Sequence, residues 1–162
     1  MLHRYPRCDS FTTAMNVDQD LLDLIQGLTS QAVVSDILHE RHSFSSSRKI
    51  HTATQMIVDH VRQGLRFVEQ ARMGPRVVSF LPCYYAFLQF AKTVIVARRG
   101  AVGLQGAISH GLSYRESAKD SRSLTGDEIY VWGGGVFPVF YEVLTGQTLP
   151  DLRSVAKRSA RS

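Results

Sequence analysis

The sequence is poor in cysteine. Its 162 residues hold two, Cys8 and Cys83, set far apart. Such a pair builds no disulfide framework, so a reducing, cytoplasmic compartment is expected. Five prolines and 12 glycines exclude collagen-like and low-complexity chains. No internal repeat of useful length is present. The opening Met1-Leu2-His3-Arg4-Tyr5-Pro6 has cations but no apolar run behind them, which argues against a secretory signal. A phosphate loop of the Gly-x4-Gly-Lys-Ser type is missing too. The Gly100, Gly103 and Gly106 spacing lacks the preceding strand and following acid of a dinucleotide fingerprint. No cofactor is therefore expected.

What is present suits one globular domain. Hydrophobic residues make up 44% of the chain, and a domain of this size buries roughly two-thirds of its unfolded surface without a covalent staple. The net charge is +5, but Arg153, Lys157, Arg158 and Arg161 stand against Asp151 in the last twelve residues. The excess is thus largely a property of the tail, which reads as a solvated end able to touch phosphates or acidic partners. The expected organisation is a loose leader over 1–16, a helical domain over 17–149 and a basic tail over 150–162.

Within the domain, Asp18 can cap a helix running to about Leu28, with Leu21, Leu22, Ile25 and Leu28 at helical spacing. A second helix over about Ser30–His42 gathers Val33, Val34, Ile37 and Leu38 before a serine-rich loop. The clearest amphipathic segment is Ile50–Met73. Ile50, Ala53, Ile57, Val61, Leu65 and Val68 share a face there, and Gly74-Pro75 ends it. Asp59/Arg62 and Glu69/Arg72 stand at ion-pair spacing along it.

Val77–Ala97 is nearly all apolar and long enough to span a bilayer. Pro82, Gln89 and Lys92 interrupt it, and a mid-bilayer lysine costs several kcal/mol. A central helix of a folded bundle is the expected state, starting near Ser79–Pro82. Cys83, inside this run, is expected to act as a small hydrophobe. Arg115–Thr125 reads as a polar loop and Glu128–Trp132 as a strand ended by three glycines. Val136–Leu144 reads as a short helix with Pro138 in its first turn and Gly146 beyond its end. The fold class is mainly α: a bundle around a central apolar helix enclosed by the segments 18–42 and 50–73, with a small β element near 112–132.

Three segments carry a family resemblance. They are Pro82-Cys83-Tyr84-Tyr85-Ala86-Phe87-Leu88-Gln89-Phe90-Ala91-Lys92, then His110-Gly111-Leu112-Ser113, then Val131–Gly146 with Gly135-Val136-Phe137 at its heart. In this order they resemble the YaaC-like family over roughly Ile50–Gly146. Members of that family are longer, so the resemblance implies that the chain holds the N-terminal part of the pattern. It implies a fold rather than a reaction.

Candidate chemistry concentrates on the central helix. Tyr85, Gln89, Lys92, Val96 and Arg99 form one stripe beside the apolar stripe Tyr84, Leu88, Ala91 and Ile95. Polar groups on a largely buried helix need partners. An anionic ligand is one solution. Internal hydrogen bonds and an ion pair with Asp36, Glu40 or Glu69 are the other. Arg98 extends the cationic end. His110 lies beside a glycine where backbone freedom brings a ligand or a second chain close, and it can serve as acid or base or simply bond a carbonyl. Trp132 and Phe137 flank a glycine turn that suits a core aromatic pair or base stacking.

Helical domains of this sort invite comparison with the HEPN group, whose ribonucleases resemble one another in carrying an arginine, four to six intervening residues and a histidine. Here ten residues separate Arg99 from His110, Arg48 stands three positions before His51, and Arg41 adjoins His42. The motif therefore fails. Asp36, His39, Glu40 and His42 crowd one helix end, with His51 further on, but His39-Glu40-Arg41-His42 is one residue short of a zinc motif. No metal site is expected. The reading carried forward is a non-catalytic interaction module. It would bind an anionic partner, RNA or a nucleotide, through Tyr85, Gln89, Lys92, Arg98, Arg99 and His110. The alternatives are metal-independent RNA cleavage at His110 or a scaffold role in a larger assembly. The apolar helix faces suit a homo-oligomer or a larger protein partner, and no membrane partner is expected.

Overall fold

The computed structural model describes residues 17–41, 44, 46–107, 109–115 and 128–149. The leader, the polar stretch after Arg115 and the basic tail lie outside the described residues. Five helices and a two-stranded sheet follow in chain order: α1 Val17–Gly27, α2 Gln31–Glu40, α3 Ser47–Met73, α4 Phe80–Arg99, β1 Leu112–Arg115, β2 Glu128–Val131 and α5 Val136–Thr145. A 3-10 turn over Ala101–Leu104 links α4 to the sheet region. The fold is mainly helical, as the periodicity predicts.

Caps explain the helix boundaries. Ser30 starts α2, its hydroxyl accepting from the Val33 N–H at 3.5 Å. Ser46 does the same for α3 with the Lys49 N–H at 3.4 Å, so that helix begins before the expected Ile50. Gly74 closes α3 by donating to the Gln70 carbonyl, and Pro75 prevents its continuation. Arg62, three residues past its expected partner Asp59, donates instead to the Thr29 carbonyl at 3.0 Å and ties α3 to the α1–α2 turn.

Two cores meet at α4. Val34 and Leu38 of α2 pack with Ile50, Ala53, Ile57, Val58 and Val61 of α3 and with Val96 of α4. On the other side Ala91 and Ile95 of α4 pack with Ala107 and Val136, and with Val139, Phe140 and Val143 of α5. Ile95 and Val96 are both fully buried. As adjacent residues they diverge by about 100° around the axis, so each serves a different core. α4 is thus central, gripped mainly by α3 and α5 rather than enclosed by α1 and α2.

That grip leaves a face free, which the sequence does not show. α4 is long and apolar enough to cross a membrane, and only 28% of its apolar span is buried. Phe80, Cys83 and Phe87 stand exposed on a stripe between the α3 and α5 contacts. Cys83 is therefore a surface thiol and not the core hydrophobe its neighbours suggest.

β1 and β2 pair antiparallel, Leu112 opposite Val131 and Arg115 opposite Glu128. Arg115 is thus the last residue of a strand rather than the first of a loop. Next to the sheet, Ser109 bridges to Gly135, and the Ser109 and His110 carbonyls accept from the Val136 and Phe137 N–H groups at 2.9 and 3.0 Å. Backbone carbonyls thereby cap the first turn of α5, a service usually left to a side chain.

Candidate anion-binding pocket

The expected stripe on α4 does not converge on one cavity. Tyr85 is exposed and stacks on Phe67, ring centroids 5.4 Å apart. Gln89 is buried, with its Oε1 2.8 Å from His60 Nδ1, so the imidazole donates to the amide oxygen. Lys92 is half-buried near the same ring. Burial first, and the Lys92 charge with it, hold His60 below the ordinary histidine range, against the opposing pull of the Gln89 bond and Asp59. Val96 belongs to the core. Of the two proposed solutions for the stripe, internal hydrogen bonding is the one seen at Gln89.

Arg99 also finds an internal partner, but not one expected from the sequence. Its Nη1 and Nη2 meet Glu142 Oε2 and Oε1 at 3.2 and 3.0 Å, a two-pronged ion pair across to α5. Asp36, Glu40 and Glu69 play no part in it. Glu142 is the sole charged residue of α5, and that isolation in an apolar helix was the available signal.

His110 is exposed. Its Nδ1 accepts from the Leu112 N–H at 3.2 Å, and its ring meets Tyr84 edge-on at 6.0 Å. Burial and the neighbouring Tyr85 raise the Tyr84 phenol above its ordinary range, which keeps it a neutral packing partner. No arginine joins His110 in these contacts.

The best-formed pocket lies where α3 begins and α4 ends. It encloses about 440 Å³ between Phe44, Ser46, Arg48, Lys49, Thr52, Arg99, Gly100, Ala101 and Val102. Among the described residues three cations line it and no acid does. Phe44, Ala101 and Val102 give it an apolar wall. Two of the cations, Arg48 and Lys49, occupy the first turn of α3, where no acidic residue stands. The aligned peptide dipoles already make a helix start positive, so acids are favoured there and cations disfavoured by about 0.3–1 kcal/mol each. Arg99 stays in the pocket despite its bond to Glu142, and exposed Arg98 stands next to it. Tyr85, Gln89, Lys92 and His110 are absent from the lining.

Two other cavities are less suited to an anion. One of about 400 Å³ between α1 and α3 sets Arg66 and Arg72 beside Glu69. Another of about 290 Å³ between α2 and α3 holds Ser35, His39, Ser47, His51 and Thr54. Among the described residues no three histidine, cysteine or acidic side chains gather as a metal site. His42 lies outside the described residues.

Taken together, these features define a small helical bundle whose glycine-capped C-terminal layer is locked onto a central apolar helix. The family model described as YaaC-like Protein matches residues 26–154. The chain belongs to the YaaC-like family. No curated protein and no solved structure matches it. The segments that carry the resemblance prove to be in contact: the His110-Gly111 backbone caps α5 at Gly135–Phe137, and Phe140 of α5 meets Phe87 of α4 edge-on at 5.9 Å. Those motif residues hold layers together.

Proposed function

We propose that this chain is a non-catalytic interaction module that recognises an anionic partner: a nucleotide, free or at the end of an RNA strand. The observation that supports the reading is the gathering of Arg48, Lys49 and Arg99 around one pocket with an apolar wall. An anion there would relieve the unfavourable pairing of two cations with a positive helix end and would accept charge-assisted hydrogen bonds. The Phe44 ring offers a flat surface for a base. Arg98 and Arg99 of the expected patch belong to this end of the molecule, while Lys92 would contribute through the long-range field alone and His110 is not in the lining. A cytoplasmic protein that self-associates or joins a larger partner is part of the same reading. The free Cys83 thiol and the exposed face of α4 favour it.

The test is binding of ATP and of a 5′-phosphorylated RNA hexamer, measured by calorimetry and fluorescence anisotropy. Arg48→Ala with Lys49→Ala should weaken binding at least about tenfold, roughly 1.4 kcal/mol, with the melting temperature near that of the parent. Lys92→Ala and His110→Ala should leave affinity within about twofold. Equal affinity for both probes points to the nucleotide alone, and a strong preference for the hexamer points to RNA. Absence of binding of either probe at millimolar concentration ends the proposal. RNA turnover that persists in chelator and disappears in His110→Ala would replace it with cleavage.

A further inference from the structure

The α3–α4 corner exposes more apolar surface than a monomer ordinarily carries. Met73 ends α3, Val77 and Val78 lie in the turn that follows, and Phe80, Leu81 and Phe87 lie on the first half of α4, with Val77 84%, Phe80 70% and Phe87 60% exposed. Their combined exposed area is on the order of 800 Å², above the roughly 300–600 Å² of the largest patch on a typical monomer. It equals the share that each partner contributes to a standard protein interface, about 800 Å².

We infer that this face is covered by a second copy of the same chain, with two α4 helices crossing antiparallel about a two-fold axis beside Cys83. The inference goes beyond the pocket and does not depend on its chemistry. Three observations carry it. First, the area matches what a stable dimer needs. Second, Phe80, Cys83 and Phe87 stand at i, i+3 and i+7, which places them on one narrow stripe of α4. A two-fold axis through the middle of that stripe sets Phe80 of one copy against Phe87 of the other, so the same patch serves both sides. Third, the charge pattern suits a second copy. From Met73 to Phe87 the sequence has one charged residue, Arg76. With the axis beside Cys83, the two Arg76 groups stand on the order of 20 Å apart, beyond the roughly 8–10 Å over which salt screens them. A segment that seeks an anionic lipid surface brings clusters of four to eight cations instead.

Sedimentation of the full chain at about 10 µM should give twice the 18.1 kDa chain mass. In a Cys8→Ser background a short bis-maleimide should join two chains through Cys83 in high yield. Phe80→Asp with Phe87→Asp, and separately Val77→Asp, should each return the protein to a monomer with the parent's circular dichroism. Val77 and Phe80 are mostly exposed, so their substitution should spare the fold, whereas Phe87→Asp also removes the edge contact with Phe140. If a double variant does unfold, the cross-link on the unaltered surface decides. A chain that stays monomeric at 100 µM overturns the inference, and so does a dimer that neither cross-links through Cys83 nor responds to these substitutions. A monomer that co-sediments with phosphatidylcholine–phosphatidylserine vesicles overturns it as well, in favour of a membrane partner.

Discussion

Gly111 and Gly135 cross with their backbones in direct contact. A Cβ built on Gly135 overlaps the Gly111 backbone, and one built on Gly111 falls 2.8 Å from Gly135 Cα and 2.7 Å from Pro138 Cδ. Gly111 also holds φ near +81°, a conformation that side chains disfavour. This crossing lets the Ser109 and His110 carbonyls reach the start of α5, so it governs how the last helix docks on α4.

Gly135→Ala should therefore cost about 3 kcal/mol or more, since backbone cannot yield as a side-chain tip does. Gly106 is the control, because it has the same φ near +81° as Gly111 while nothing lies within 4 Å of its Cβ position. Gly106→Ala should cost only the conformational penalty, about 1–2 kcal/mol. Urea unfolding of the two variants separates close approach from backbone conformation. Equal losses would show the crossing to be unimportant.

Much of this arrangement was legible in the sequence. The i, i+3, i+4 recurrence from Ile50 to Val68 marks the buried face of α3, and Pro138 and Gly146 bracket α5. Periodicity identified these because a helix buries whatever face its apolar residues share. It could not say that Phe80, Cys83 and Phe87 would stay exposed, for composition does not count partners. The β element near 112–132 was legible, but Arg115 read as loop because Leu112–Arg115 is extended through pairing with residues 13 to 19 positions on. The pocket was missed because its cations come from positions 48, 49 and 99 and meet only in three dimensions. One signal was on view: two cations and no acid in the first turn of a long helix.

Glu142 competes with any ligand for Arg99. The pair is partly exposed, 39% for Arg99 and 34% for Glu142, so solvent screening limits its worth to well under about 1 kcal/mol of stability. Glu142→Gln keeps the shape and removes the charge. Affinity for ATP should rise about threefold, with the melting temperature within a few degrees of the parent. Calorimetric titration of both proteins checks this. Unchanged affinity would place Arg99 outside the recognition event.

Helix packing makes its own prediction at Gly64, where α3 passes closest to Phe90 of α4. A Cβ at Gly64 would stand 2.5 Å from Phe90 Cε1 and 2.9 Å from Cδ1 and Cζ, so the half-buried ring would have to move as a whole. Alanine in a helix interior gains about 1 kcal/mol over glycine, but overpacking costs about 1–3 kcal/mol, so Gly64→Ala should destabilise. Gly27, at the end of α1, has open space around its Cβ position. Gly27→Ala should stabilise by about 0.5 kcal/mol. Melting temperatures should move in opposite directions. A rise for both would mean that α4 shifts freely on α3.

The burial of His60 against Gln89 makes stability depend on pH. Burial outweighs the raising influences of Gln89 and Asp59, so the folded protein prefers a neutral ring, whereas in the unfolded chain the ring takes up its proton near 6.5. Between those two values the unfolded state binds more protons, and stability therefore rises with pH. The contribution is fully present above about pH 6.5 and is lost as the pH falls through the folded value. Protonation would also set a second positive charge beside Lys92. His60→Gln removes the titrating group and the bond to Gln89 together. The variant should be less stable than the parent at pH 7 by about 1 kcal/mol, and the difference should shrink as the pH is lowered to 5. Urea midpoints at pH 7, 6 and 5 provide the measurement, and the other histidines remain in both proteins and cancel in the comparison. A difference that stays constant across the range would mean that the His60 ring titrates alike in the folded and unfolded chain, and that its burial in the α3–α4 seam carries no electrostatic cost.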